Sequence, residues 1–122
     1  MKVELNSCKN INFHAKVSPQ LEKVLRSYIN QGGNRLKNNY KLNTKIAEFD
    51  KYGYDEYTMN LVSKYNSMGN EYSLVVTKEG QNIKDGICLS KKSSMRELVN
   101  YFLNIRKNQF INKMENGYIY GG

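Results

Sequence analysis

One histidine, two cysteines and one proline are all that this 122-residue chain holds of the residue types that most often carry metals, disulfides or sharp turns. With His14 as the single histidine, no ligand set of several histidines can be built, and no catalytic triad finds a second partner. Cys8 and Cys88 stand far apart with no CxxC spacing, which argues against a disulfide framework or a structural zinc site. A single Cys8–Cys88 bridge stays open, since sequence does not report the distance between two residues. No stretch approaches the ~18 consecutive apolar residues that a membrane span requires. The opening MKVELNSCKN alternates polar and apolar residues and lacks an apolar h-region. The expectation is a soluble, cytoplasmic protein with no membrane partner.

Catalytic signatures are missing too. The chain has no GxSxG, no HExxH and no GxxxxGK[ST], and its glycine-rich pieces QGGN and KEGQNIKDG lack the strand–loop–helix context of phosphate loops. Asp50 with Asp55, or Glu79 with Asp85, fall in turn-like segments where nothing would move a carboxyl pKa toward neutrality. The sequence therefore predicts no catalytic residue, no metal and no cofactor.

What the chain does have is positive charge, unevenly spread. Lys and Arg number 19 against 11 acidic residues, for a net charge of +8. Residues 18–43 carry five basic and one acidic side chain, and residues 90–122 carry six and two, whereas residues 44–89 carry five and seven. Such a split suits a partner bearing phosphates or carboxylates, although a solvated basic surface has the same composition. Seventeen asparagines, ten tyrosines and a lysine-to-arginine ratio of 15 to 4 look like the coding bias of an AT-rich genome, a low-GC bacterium or its mobile elements.

Hydrophobic periodicity supplies the elements. Val3 and Leu5, then Ile11, Phe13, Ala15 and Val17, alternate with polar residues as an N-terminal hairpin would, with His14 on the polar side. Ser18, Pro19 and Gly32-Gly33 bracket a helix whose Leu21, Val24, Leu25, Tyr28 and Ile29 form one stripe. Residues 34–43 read as a polar, basic connection anchored by Leu36, Tyr40 and Leu42, with cations interleaved by an aromatic as single-stranded nucleic acid requires. Lys45–Asp50, Glu56–Tyr65 and Glu71–Thr77 read as strands, the last two joined by a hairpin loop at residues 66–70, and Ile87–Leu89 as a short final strand. Ser94 with Glu97 makes a capping box for a helix with Met95, Leu98, Val99, Phe102 and Ile105 inward. The predicted fold is α+β: an antiparallel sheet of about five strands with two helices packed mainly on one face. It forms a single domain of hairpin 2–17, helix 18–32, strands within 44–89, helix 94–107 or longer, and a mobile tail 117–122.

Two sets of site residues follow. Lys91 and Lys92 placed just before a helix start oppose its macrodipole, at a cost of ~0.3–1 kcal/mol each, unless an anion sits there. Lys91, Lys92, Ser93, Ser94 and Arg96 are thus the candidate phosphate ligands, supported by Arg26, Arg35 and Lys37. The alternative is a protein interface on the mildly acidic middle, built from Tyr52, Tyr54, Tyr57 and Tyr65.

Helix, three strands and a helix, with a lysine pair before the last helix, resembles the double-stranded-RNA-binding domain over about Ser18 to Lys107. The matching residues are Leu89-Ser90-Lys91-Lys92-Ser93 and the preceding EYSLVVTKEG. The family's histidine-containing loop has no counterpart, and Met95 stands where its third basic residue would be, so the likeness is one of topology. The terminal Gly121-Gly122 is similar to the end of ubiquitin-like modifiers and sulfur carriers. Those families place the diglycine straight after a strand, whereas here a long helix and a tyrosine-rich tail intervene. The sequence thus predicts a non-enzymatic protein that binds nucleic acid or a nucleoprotein. The alternative is an accessory factor that binds a host protein, such as a phage or mobile-element inhibitor of a host enzyme.

Overall fold

The computed structural model describes residues 16–51 and 56–122, so residues 2–15 of the expected N-terminal hairpin, with Cys8 and His14, lie outside the described residues, as do Tyr52 and Tyr54. Strand β1 is Lys16–Val17. Helix α1, Pro19–Asn30, follows at once, started by the Ser18 hydroxyl, which accepts the Leu21 N–H at 3.1 Å, and by a proline in the first turn. Leu21, Leu25 and Ile29 are its buried stripe.

Asn34, at φ 58°, turns the chain into helix α2, Arg35–Lys51. Asparagine is among the few side chains that enter this left-handed region readily. Here the structure corrects the sequence reading twice, because the expected connection at residues 34–43 and the expected strand at 45–50 are one continuous helix. Among the described side chains of α2 only Leu42 and Phe49 are buried, with Ile46 half-buried between them. A helix with so few inward residues shows no apolar stripe. Polar bonds to α1 tie it down instead: Asn39 Nδ2 donates to Asn30 Oδ1 at 2.8 Å, and Arg26 Nη2 to Asn43 Oδ1 at 2.8 Å.

Strands β2 (Tyr57–Asn66), β3 (Gly69–Lys78) and β4 (Ile87–Lys92) form an antiparallel meander, and β1 adds to the outer edge of β2 in parallel. The sheet therefore has four strands among the described residues rather than about five, and it is mixed rather than antiparallel. A parallel neighbour needs a crossover, and α1 with α2 is that crossover. The β2–β3 hairpin turns over Ser67 and Met68, with the Met68 N–H on Asn66 Oδ1 at 2.8 Å and Gly69 at φ 115°.

In the β3–β4 ladder Leu74 faces Ser90 while Val75 faces Cys88, so Leu89 is an extra residue, a β-bulge. The Tyr101 hydroxyl donates to the Leu89 carbonyl at 3.2 Å. Beyond β4, Ser94 caps helix α3 (Met95–Asn104), as its spacing with Glu97 predicts. The expected longer helix is interrupted. Ile105 and Arg106 adopt extended backbone with ψ of 135° and 157°, and helix α4 (Lys107–Asn116) begins afresh. Gln109 Oε1 receives the Arg106 N–H at 2.9 Å at this new start. There are thus four helices among the described residues where two were expected.

All four helices bury their apolar side chains in one cluster with Met59, Leu74, Val76 and Leu89, which makes the helical layer one-sided. The opposite sheet face carries Val75 and Cys88, outside that cluster, with Ser73 and Thr77. Residues 117–122, expected as a mobile tail, run along the β4 edge. Ile119 bridges Ile87, the Cys88 N–H reaches the Tyr118 carbonyl at 3.0 Å, and the Tyr120 N–H reaches Gly86 at 2.8 Å. The diglycine folds back, with the Gly121 N–H on the Lys84 carbonyl at 2.8 Å.

Candidate nucleic-acid interface

Strand β4 runs three residues further than its apolar run Ile87–Leu89, so Lys91 and Lys92 belong to a strand and do not stand at a helix start. Neighbours on a strand point to opposite faces. The register bears this out: Lys92 is opposite Tyr72, which packs on the core, and Lys91 is opposite Ser73 on the back. The bulge at Leu89 sets which lysine goes where, since without that extra residue the two would exchange faces.

On the back face Lys91 Nζ is 3.6 Å from Glu71 Oε2 and lies 5.5 Å from the Tyr120 ring centre, with Lys64 Nζ 4.9 Å from the same ring. On the helical side Lys92 Nζ stands 5.4 Å from the Tyr101 ring centre. The two lysines therefore do not close on one phosphate. Ser93 and Ser94 are occupied too, as both hydroxyls donate to Glu97 Oε1, at 3.1 and 3.2 Å. That carboxylate already supplies the negative charge that the start of α3 favours. Arg96 is exposed in the first turn of α3 and makes no ion pair among the described residues.

The supporting residues present a different picture. Arg26 is tied to Glu22 at 2.9 Å and to Asn43, so it braces α1 against α2. Arg35 and Lys37 are exposed in the first turn of α2, which has no acidic residue. Tyr40, 74% exposed, follows one turn on, beside Lys41 and below Leu36, which is 90% exposed. Helical spacing accounts for the arrangement: Leu36 and Tyr40, four apart, share the outward face, while Leu42 turns inward. Residues 34–43 already show the cation–aromatic interleaving in sequence. What they conceal is that a helix projects Lys37, Tyr40 and Lys41 to one side, while Arg35 lies around the helix on the side of Leu42. Met95, at the start of α3, meets α1 in a shallow groove with Lys23, Ser27, Tyr28 and Gln31, so the helical surface runs unbroken from α1 to the start of α3.

The two described tyrosines of the alternative set, Tyr57 and Tyr65, stand apart. Tyr57 is half-buried against the core with Lys78 Nζ 5.7 Å from its ring centre, and Tyr65, 84% exposed, sits at the far end of β2 beside Met68, 93% exposed. These two tyrosines stand eight positions apart on one strand, roughly 26 Å at ~3.3 Å per residue. Two other tyrosines are perturbed, and both hold their protons above the ordinary 10.0. Tyr118 does so through a hydrogen bond with the Cys88 thiol, then partial burial and the nearby Glu71, and Tyr101 through burial, then Cys88. No helix among the described residues is long and apolar enough to cross a membrane.

Comparison with protein-family models, with curated proteins and with solved structures finds no match.

Proposed function

We propose that this protein is a non-enzymatic nucleic-acid binder that works through its helical surface, with the start of α2 as the principal contact. The carrying observation is Tyr40 standing out in solvent on the same side of α2 as Lys37 and Lys41, with Arg35 exposed at the helix start and no acidic side chain in that first turn. Cations hold the phosphodiester backbone and an exposed ring stacks on a base, a combination that suits a single-stranded segment better than a duplex with its bases stacked away. Lys92 and Arg96 extend the basic surface toward the start of α3. Lys91 belongs to the opposite face and takes no part.

Fluorescence anisotropy with labelled single-stranded and duplex oligonucleotides, at low and moderate salt, tests the reading. Single strands are expected to bind more tightly, with log K falling on log salt by about 0.7 per phosphate contacted. Reversing Arg35, Lys37 and Lys41 to glutamate should reduce that slope by roughly 2, and Tyr40→Ala should weaken binding by about 1–3 kcal/mol. No detectable binding at low salt, or affinity indifferent to these changes, would sink the proposal.

A second reading rests on Tyr65 and Met68, which place two large apolar side chains in water at one hairpin tip. Here the protein is an accessory factor whose hairpin tip docks on a host protein, as an inhibitor would. Recovery of one partner from a low-GC bacterial lysate after nuclease treatment, lost in a Tyr65→Ser/Met68→Ser double variant, favours this reading over the first.

A further inference from the structure

A cavity of about 380 Å³ opens where α2 passes the break between α3 and α4. Its inner wall is Phe49, Ile105 and Phe110, with the Phe49 and Phe110 rings edge to face at 5.2 Å between centres. Its rim is charged, and the charges are unequal in availability. Lys45, its side chain 14% exposed, is committed twice: Nζ donates to the Ile105 carbonyl at 2.6 Å and pairs with Glu48 at 2.9 Å. That pairing neutralises Glu48, the only acidic side chain among the described residues that line the cavity. Arg106, exposed on the opposite rim, makes no ion pair among the described residues. Helix α4 begins there with no acidic residue in its first turn. The break in the helix creates this arrangement, because a continuous helix would carry residue 106 past the cavity mouth instead of leaving it at the rim.

From this we infer that the cavity binds a small amphipathic anion: one flat apolar ring or short apolar chain carrying a single carboxylate or phosphate. Size fits, since small-ligand sites start at about 300 Å³ and are mostly apolar with a few placed polar groups. Charge fits as well, because an anionic head meets the Arg106 guanidinium, whose planar fork matches carboxylate or phosphate in two parallel hydrogen bonds. The apolar body displaces water from the wall of Phe49, Ile105 and Phe110. A cationic ligand is disfavoured by Arg106, and a strongly polar one finds few partners in an apolar wall. The inference stands apart from nucleic-acid binding, as the cavity involves none of the α2 residues Arg35, Lys37, Tyr40 or Lys41.

The test uses the full chain and three probes followed by amide chemical shifts: 1-naphthyl phosphate, 1-naphthoate, and uncharged 1-naphthalenemethanol. Saturable shifts centred on Ile105, Arg106 and Phe110 are expected with at least one of the two anions. The neutral probe should bind about tenfold more weakly or worse. Arg106→Glu should lower the anion's affinity by tenfold or more, and because Arg106 is exposed the variant is expected to keep the wild-type spectrum elsewhere. Should that variant fail to fold, Arg106→Gln replaces it, with a loss of affinity still required. The inference is overturned if neither anion binds up to millimolar concentration, if the shifts map away from this cavity, if the neutral probe binds as well as the anions, or if affinity survives removal of the Arg106 charge.

Discussion

At the scale of single residues, two tyrosines do work that composition alone would not assign to them. The Tyr101 hydroxyl reaches the Leu89 carbonyl at the bulge, joining α3 to β4 at the one irregular point of the ladder. Tyr101→Phe is expected to cost about 1–3 kcal/mol in urea unfolding, because it leaves a buried carbonyl short of a partner. Tyr118 and Tyr101 both have folded pKa values raised above 10.0. A raised value means that the folded state keeps the proton longer than the unfolded chain does. The stabilisation is therefore fully present below about 10 and is lost as pH rises through the folded pKa. Tyrosinate absorbance should show a late-titrating fraction in the native protein that disappears in a Tyr118→Phe/Tyr101→Phe double variant. Of the candidate site residues, Lys91 and Lys92 were legible as charges but not as directions. Sequence spacing gave no sign of the extra residue at Leu89, on which their separation depends.

At the scale of elements, legibility follows the number of inward side chains. Helices α1 and α3 announce themselves, each with a serine cap and three fully buried residues at helical spacing. Helix α2 does not, since its two buried residues are a heptad apart and its other apolar side chains include Leu36 and Tyr40, which face outward among polar residues; tertiary bonds from Asn30 and Arg26 help hold its conformation. The far half of β4 is concealed for a similar reason, because Ser90-Lys91-Lys92 is polar on both faces and is held as a strand by the β3 ladder. The C-terminal segment behaves as an edge cover for that same strand. Its Tyr118 lies against the fully buried Cys88. In a Cys8→Ser background, Cys88 should resist a thiol reagent under native conditions, and removing residues 118–122 should make it react at least several times faster. Equal rates in the two proteins would show that the segment does not cover the thiol.

At the scale of the whole molecule, the α+β class and the placement of helices on one face were both readable, since every apolar stripe needs one partner surface and the meander offers one. The strand count was not, because Lys45–Asp50 is helical, nor was the parallel edge, because the alternation that ends at Val17 marks a strand without saying which neighbour it takes or in which direction. That edge sets an order on how the molecule can come together. The β2–β3 hairpin closes across two residues, whereas Val17 cannot meet Met59 until the intervening α1–α2 segment has been gathered in. Closing the longer loop costs more chain entropy, and it is regained only after both helices have packed. The meander is therefore the place for a nucleus to form, and β1 docks downhill of the barrier. In stopped-flow refolding, Val76→Ala should slow folding, whereas Val17→Ala should chiefly accelerate unfolding, with a φ-value of about 0–0.3. In time as in space, the N-terminal edge is the last part of the sheet to belong to it.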